Sequence, residues 1–160
     1  MGAVKFSDEV SSSIPAPKLF KAFVLDADNL IPKIVPQAFN NVQLLQGDGG
    51  PGSIKQTNFG EGSQHKYVKH RIDALDKENF YYAYTLIEGA GLMDKIESVS
   101  YEMKIEGSPE GGSIVKNTRT YHTKPGSEMN EEEIKAGMQK AAGIFKLLEA
   151  YLLANPEAYA

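Results

Sequence analysis

The chain of 160 residues contains no cysteine, which excludes disulfides and thiolate zinc sites and leaves packing to hold the fold. It has no excess of basic charge: 17 lysines and arginines stand against 21 acidic residues, for a net charge of −4. Binding to nucleic acid or anionic membrane draws on a basic surface, so neither partner is favoured. No run of about 18 apolar residues occurs, and the first twenty residues lack the apolar core of a signal peptide. No Pro/Ser-rich linker divides the chain. The expectation is one soluble, cytoplasmic domain over 1–160, with no metal and no cofactor.

What is present has clear periodicity. Val4 to Val10 reads as a strand, and Ser13-Ile14-Pro15-Ala16-Pro17 offers a capping serine with prolines suited to a first helical turn. Leu19, Phe20, Phe23 and Val24 fall at helical spacing. Asp26-Ala27-Asp28 can cap a second short helix carrying Leu30, Ile31 and Ile34, which Pro36 stops. From Phe39 to about His122, short β-branched and aromatic runs are punctuated by GDGGPG, GEGS, DKEN, EGAG and GSPEGG. Six further strands fit, joined by hairpins into an antiparallel sheet. Ile134, Met138, Ala141, Phe145, Leu148 and Leu152 then mark one buried stripe of a long helix, Glu131 to about Ala154, with Asn130 as its cap. Gly137 and Gly143 cost this helix about 1 kcal/mol each against alanine, which suggests either room beside it or close packing.

The segment Gly47-Asp48-Gly49-Gly50-Pro51-Gly52 resembles a phosphate cradle, but such a loop needs a helix behind its glycines. Here Ser53 to Phe59 reads as a strand, the Gly-Lys-Ser/Thr sequence is missing, and Pro51 withdraws an amide. The loop is read as a turn between strands.

Period-two reading puts Val99, Tyr101, Met103 and Ile105 on one strand face, Phe80, Tyr82, Tyr84 and Leu86 on another, and Ser113, Val115 and Asn117 on a third. These faces are apolar with hydroxyl and amide groups among the carbon. Buried polar groups need partners. Either they bond backbone and water, or they line a pocket that orients an amphipathic guest.

Several ordered blocks carry a resemblance: Ile14-Pro15-Ala16, Lys18 to Phe23, Leu25 to Lys33, GDGGPG, Tyr67 to Arg71, Leu86-Ile87-Glu88-Gly89, Tyr121 to Lys124 and Glu149 to Leu153. Over essentially its whole length the chain resembles the plant pathogenesis-related proteins of class ten, the family of the major birch-pollen allergen. The resemblance implies an α+β helix-grip fold: a curved seven-stranded antiparallel sheet around a long C-terminal helix, two short helices in a V, and a large cavity between. It also implies a monomeric defence-related carrier of flavonoids, cytokinins or other hormones, fatty acids or sterol-like compounds, and an allergen met by antibodies.

By matching position, the implied cavity wall comprises Phe23, Ile31, Phe39, Thr57, Phe59, His65, Tyr67, His70, Tyr82, Tyr84, Leu86, Val99, Tyr101, Met103, Val115, Asn117, Ala136, Lys140, Ala141, Ile144 and Phe145. Thr57 and Asn117 stand where the family often has aliphatic residues, and His65 where it often has an aromatic, so a more polar pocket is expected. Lys140 can extend toward the entrance, and the segment EGAGLMD, tipped by Leu92 and Met93, is its expected lip.

No catalytic role is expected. Ribonuclease activity described for some relatives would map to Glu97, Glu149 and Tyr151, with Lys55 and the glycine-rich loop nearby, but the acidic net charge offers little to a polyanion. The family's amine–aldehyde condensing branch uses an inward lysine with an acid partner, and no such set is legible here. The abscisic-acid receptors of the same fold carry a Ser-Gly-Leu-Pro-Ala gate and a His-Arg-Leu latch, both missing from this sequence. Hormone binding linked to signalling stays the second alternative after weak ribonuclease. His70 is the one inward group able to titrate near neutrality.

Overall fold

The computed structural model describes residues 2–60, 66–89, 95–127 and 131–159. Seven strands form one sheet: β1 (Gly2–Ser12), β2 (Phe39–Gln46), β3 (Ile54–Phe59), β4 (Tyr67–Asp76), β5 (Tyr81–Glu88), β6 (Ile96–Gly107) and β7 (Ser113–Thr123). Their spatial order is β1-β7-β6-β5-β4-β3-β2, with every pairing antiparallel. The hairpin chemistry dictates this meander. In the β4–β5 turn, for example, the Asp76 carboxylate accepts the amides of Glu78 and Asn79 at 3.0 and 3.1 Å. Register shifts interrupt β2–β3, β4–β5 and β6–β7, and irregularities of this kind increase local twist and let a sheet curve.

Between β1 and β2 lie helix α1 (Ala16–Phe20), a π-helical turn over Lys21–Leu25, and helix α2 (Ala27–Ile34). Two expectations shift here. Strand β1 runs beyond Val10 because it pairs with β7 residue for residue, from Gly2 with Thr123 to Ser12 with Ser113. The N-cap of α1 is Pro15 rather than Ser13, without a side-chain hydrogen bond. Asp26 does sit at the N-cap of α2, yet its carboxylate makes no cap bond. It accepts from Asn29 at 2.7 Å and from the Tyr159 hydroxyl, which pins the C-terminal segment to the helix pair.

The long helix α3 spans Glu131–Ala154; the expected cap, Asn130, lies outside the described residues. Its stripe is buried as expected, at Ile134, Phe145, Leu148 and Leu152, with Met138, Ala141 and Ile144 partly buried. The buried core falls into two clusters. One gathers Ile14, Leu19, Phe20 and Leu30 with Ile105, Val115, Phe145, Leu148 and Leu152. The other joins Ile96, Val99 and Tyr121 to Ile134, near the start of α3.

Candidate functional site

The inward face of the sheet is set by strand alternation and register. Tyr84 on β5 pairs with Tyr101 on β6, which pairs with Arg119 on β7, which pairs with Phe6 on β1. One row along, Tyr82 meets Met103 and Asn117; on the other side, Leu86 meets Val99 and Tyr121. Tyr82 and Met103 pack against the first cluster, and Leu86 and Tyr101 against the second, while Tyr84 packs against neither. The middle row thus leaves the second cluster as it runs from Phe6 and Tyr101 to Tyr84.

Aromatic rings are continuous across this middle row. Tyr84 stacks on Tyr101 with centroids 4.7 Å apart, and Tyr82 and His70 flank it at 5.2 and 5.1 Å. Burial pushes the Tyr82, Tyr84 and Tyr101 hydroxyls well above the ordinary phenol range, with nearby negative or polar groups adding to it. Burial, helped by the charge of Lys55, drives the His70 imidazole down to about 4. All four groups are therefore neutral at pH 7. None is fully buried, however: each retains part of its accessible surface. Lys55, the register partner of His70, gives its ammonium to Asp28 on α2 at 2.5 Å, with its side chain 15% exposed.

On the helical side, Phe23 packs on Phe145 with ring centroids 5.1 Å apart, and Ile31 and Ile144 pack against the same cluster. Gly137 of α3 comes close to the Arg119 guanidinium, and Ala141, one turn further on, is half-buried. The principal close backbone neighbour of α3 is α2 rather than any strand. Phe39 and Phe59 pair at 5.4 Å where β2 meets β3, and Thr57 is half-buried beside them, opposite Val42 and Val68.

Three expected wall residues point elsewhere. Tyr67 stands three positions from His70, and strand alternation puts the two on opposite faces; its hydroxyl donates to Glu88 at 2.7 Å and Lys69 lies over its ring. Ala136 and Lys140 are exposed. From Ile134 on the buried stripe, Ala136 is turned about 160° around the helix and Lys140 about 120°. His65 and the lip residues Leu92 and Met93 lie outside the described residues. Arg119, absent from the expected wall, lies on the same face as Tyr101 and near Gly137; continuing the alternation from Val115 and Asn117 finds it.

The glycine-rich loop turns β2 into β3, as its sequence suggested. Three of its amides are already committed: Gly49 donates to Ser53 Oγ at 2.9 Å, Gly50 to the Asp48 carboxylate at 2.9 Å, and Gly52 to the Ile72 carbonyl at 2.7 Å. With Pro51 lacking an amide, little is left to cradle a phosphate.

The residues suggested for RNA cleavage do not form a set. Glu97 is exposed beside Ile96, whose cluster includes Ile134. Glu149 lies fifteen residues further along α3, about 22 Å of helix rise. It accepts the Ser12 hydroxyl at 2.7 Å, while the Tyr151 hydroxyl accepts from Lys33 at 3.0 Å. A general acid and base must both reach the same substrate atoms, and this separation prevents it. A separate shallow groove of about 400 Å³ lies on the outer sheet face between Asp73, Tyr81, Ala83, Ser100, Glu102 and His122.

Comparison with known proteins agrees with this architecture. Residues 1–155 match the model of the Pathogenesis-related protein Bet v 1 family. The chain is 60% identical to the major allergen Pru ar 1 of Prunus armeniaca and 59% identical to the major allergen Mal d 1 of Malus domestica, each over 99% of both chains. The crystal structure of Ara h 8.0201 superposes with a TM-score of 0.86 at 40% identity, covering 96% of this chain and 99% of that one. Norcoclaurine synthase from Thalictrum flavum, solved with dopamine and hydroxybenzaldehyde, shares the fold at a TM-score of 0.73 and 19% identity, covering 96% and 88% of the two chains. The chain belongs to the Bet v 1 family of pathogenesis-related proteins.

Proposed function

We propose that this protein is an intracellular, defence-related plant carrier that holds amphipathic small molecules between its sheet and α3, the whole chain acting as one monomeric ligand-binding domain. The observation that carries the reading is the middle row. Tyr84, Tyr101 and His70 are strongly desolvated but keep accessible surface, Tyr84 packs against neither core cluster, and Arg119 in the same row ends near Gly137 of α3. Accessible surface on groups closely surrounded by protein atoms is what the wall of a recess has.

Such a wall binds by apolar burial, worth about 25 cal/mol per Å², while neutral hydroxyls and an uncharged imidazole orient the guest without the cost of stripping water from an ion. Flavonoids, cytokinins, fatty acids and sterol-like compounds all combine an apolar body with a few polar groups. Micromolar affinities follow from a roomy site that leaves its guest some motion. The similarity to named fruit allergens supports recognition by antibodies as well. Catalysis is not part of this reading, since the candidate acid and base are held apart by different partners.

The test is displacement of an apolar fluorescent probe by flavonoids and cytokinins. Competition by at least one class supports the reading; failure of every amphipathic compound to bind or compete contradicts it.

A further inference from the structure

Arg119 is the one arginine on the inward face of the described strands. Its guanidinium lies over the Tyr101 ring, 5.4 Å from the centroid. Its Nη1 comes within 3.8 Å of the place where a Cβ on Gly137 would stand. The side chain therefore reaches from β7 to the N-terminal third of α3 and ends at a helix position with no side chain of its own. Tyr101 and Tyr84 are stacked beside it, and His70 stands next to Tyr84. The side chain is not fully buried.

The surrounding chemistry makes this charge distinctive. Arginine stays protonated at any accessible pH and presents five N–H donors in a rigid fork. The Tyr121 hydroxyl accepts a hydrogen bond from the guanidinium, and the Tyr101 ring face answers its flat side, so the remaining N–H donors at its edge are what a guest can meet. The other inward cation, Lys55, is already matched by Asp28, and the neighbouring imidazole is neutral. The middle row thus offers a guest a forked cation at one end of an aromatic surface. Planar acids are what such a fork binds best, through two parallel charge-assisted hydrogen bonds.

We propose that Arg119 is an anion-recognising residue of the ligand site, and that the preferred guests are amphipathic acids: an aromatic or aliphatic body against Tyr84, Tyr101 and Met103, with a carboxylate or sulfonate at the guanidinium. This inference rests on the carrier reading and narrows it. A brace role, in which Arg119 merely holds the Tyr101 ring of β6 and the Tyr121 hydroxyl of its own strand beneath α3, is the competing account.

A matched pair of probes separates the two: anilinonaphthalene sulfonate, which is anionic, and phenylnaphthylamine, which has the same ring skeleton without the sulfonate. In the wild type both should bind. Arg119→Gln should weaken the sulfonate probe by about tenfold or more and leave the neutral probe within about twofold; Arg119→Lys should restore part of the difference. Equal losses for both probes, or no loss for either, would overturn the role of Arg119 while leaving the carrier reading in place. A wild type that binds neither probe would overturn both. Should Arg119→Gln fail to fold, the NMR signal of the Arg119 Nε–H in the wild type decides: it should move on titration with the sulfonate probe and stay fixed with the neutral one, and a signal indifferent to both overturns the assignment.

Discussion

Tyr84 and Tyr101 are direct register partners on β5 and β6, and their rings stack at 4.7 Å with 14° between planes. Stacking across a strand pair needs no hydroxyl. Tyr84→Phe should therefore change unfolding free energy by no more than about 1 kcal/mol while shifting ligand preference toward less polar guests. Chemical denaturation and probe competition check the two halves separately. A loss above about 3 kcal/mol would instead make that hydroxyl part of the packed core.

His70 gives the protein a pH dependence with a definite sign. Its imidazole falls from 6.5 to about 4 on folding, through burial first and the charge of Lys55 second. Between those values the unfolded chain binds a proton that the folded chain refuses, so stability rises with pH across the window. The contribution is fully present above about 6.5 and is lost as pH falls toward 4, with a span of about 3 kcal/mol. Comparing wild type with His70→Gln at neutral and mildly acid pH cancels the carboxylates common to both. The wild type should lose more stability on acidification; equal losses would place His70 in a wet, unshifted environment.

Two glycines of the turn between β2 and β3 should respond differently to alanine. Both Gly47 and Gly49 have positive φ, at +87° and +99°, but a Cβ at Gly47 would meet Ser53 Oγ at 2.3 Å while one at Gly49 meets nothing within 4 Å. Gly49→Ala carries the conformational cost alone, about 1–2 kcal/mol. Gly47→Ala must also displace Ser53, whose hydroxyl holds the Gly49 amide, and should cost clearly more. Thermal or chemical unfolding of the pair tests the order.

Glu149 should prove structural. Its bond from Ser12 ties the end of β1 to α3, so Glu149→Gln should lower stability by about 1–2 kcal/mol. Combined with Glu97→Gln, it should leave any RNA cleavage by purified protein unchanged. Cleavage abolished by the double substitution in a folded protein would reinstate the nuclease reading.

Much of this site could be read from periodicity, and its gaps have physical causes. Alternation along β5, β6 and β7 put Tyr82, Tyr84, Tyr101, Met103 and Asn117 on one face before any coordinates, because a strand has only two faces. The same rule reaches Arg119, but a charged residue in the middle of a wall contradicts the usual cost of burying charge and is easily passed over. Family position points Tyr67, Ala136 and Lys140 at the wall, whereas strand alternation carries Tyr67 to the other face and Ala136 and Lys140 stand exposed. The π-helical turn at Lys21–Leu25 and the hold of Tyr159 on Asp26 depend on contacts between distant segments, which no local pattern encodes.

The central claim is that a guest can occupy the space between the middle row and α3. Methyl NMR during titration with phenylnaphthylamine tests it most directly, because Met103, Met138 and Ile144 supply reporters around that space, while Ala74 and Ala83 report on the outer groove. The account expects saturable shifts at Met103, Met138 and Ile144 with Ala74 and Ala83 unmoved. Shifts confined to the outer-groove alanines, or no shifts at all, would contradict it.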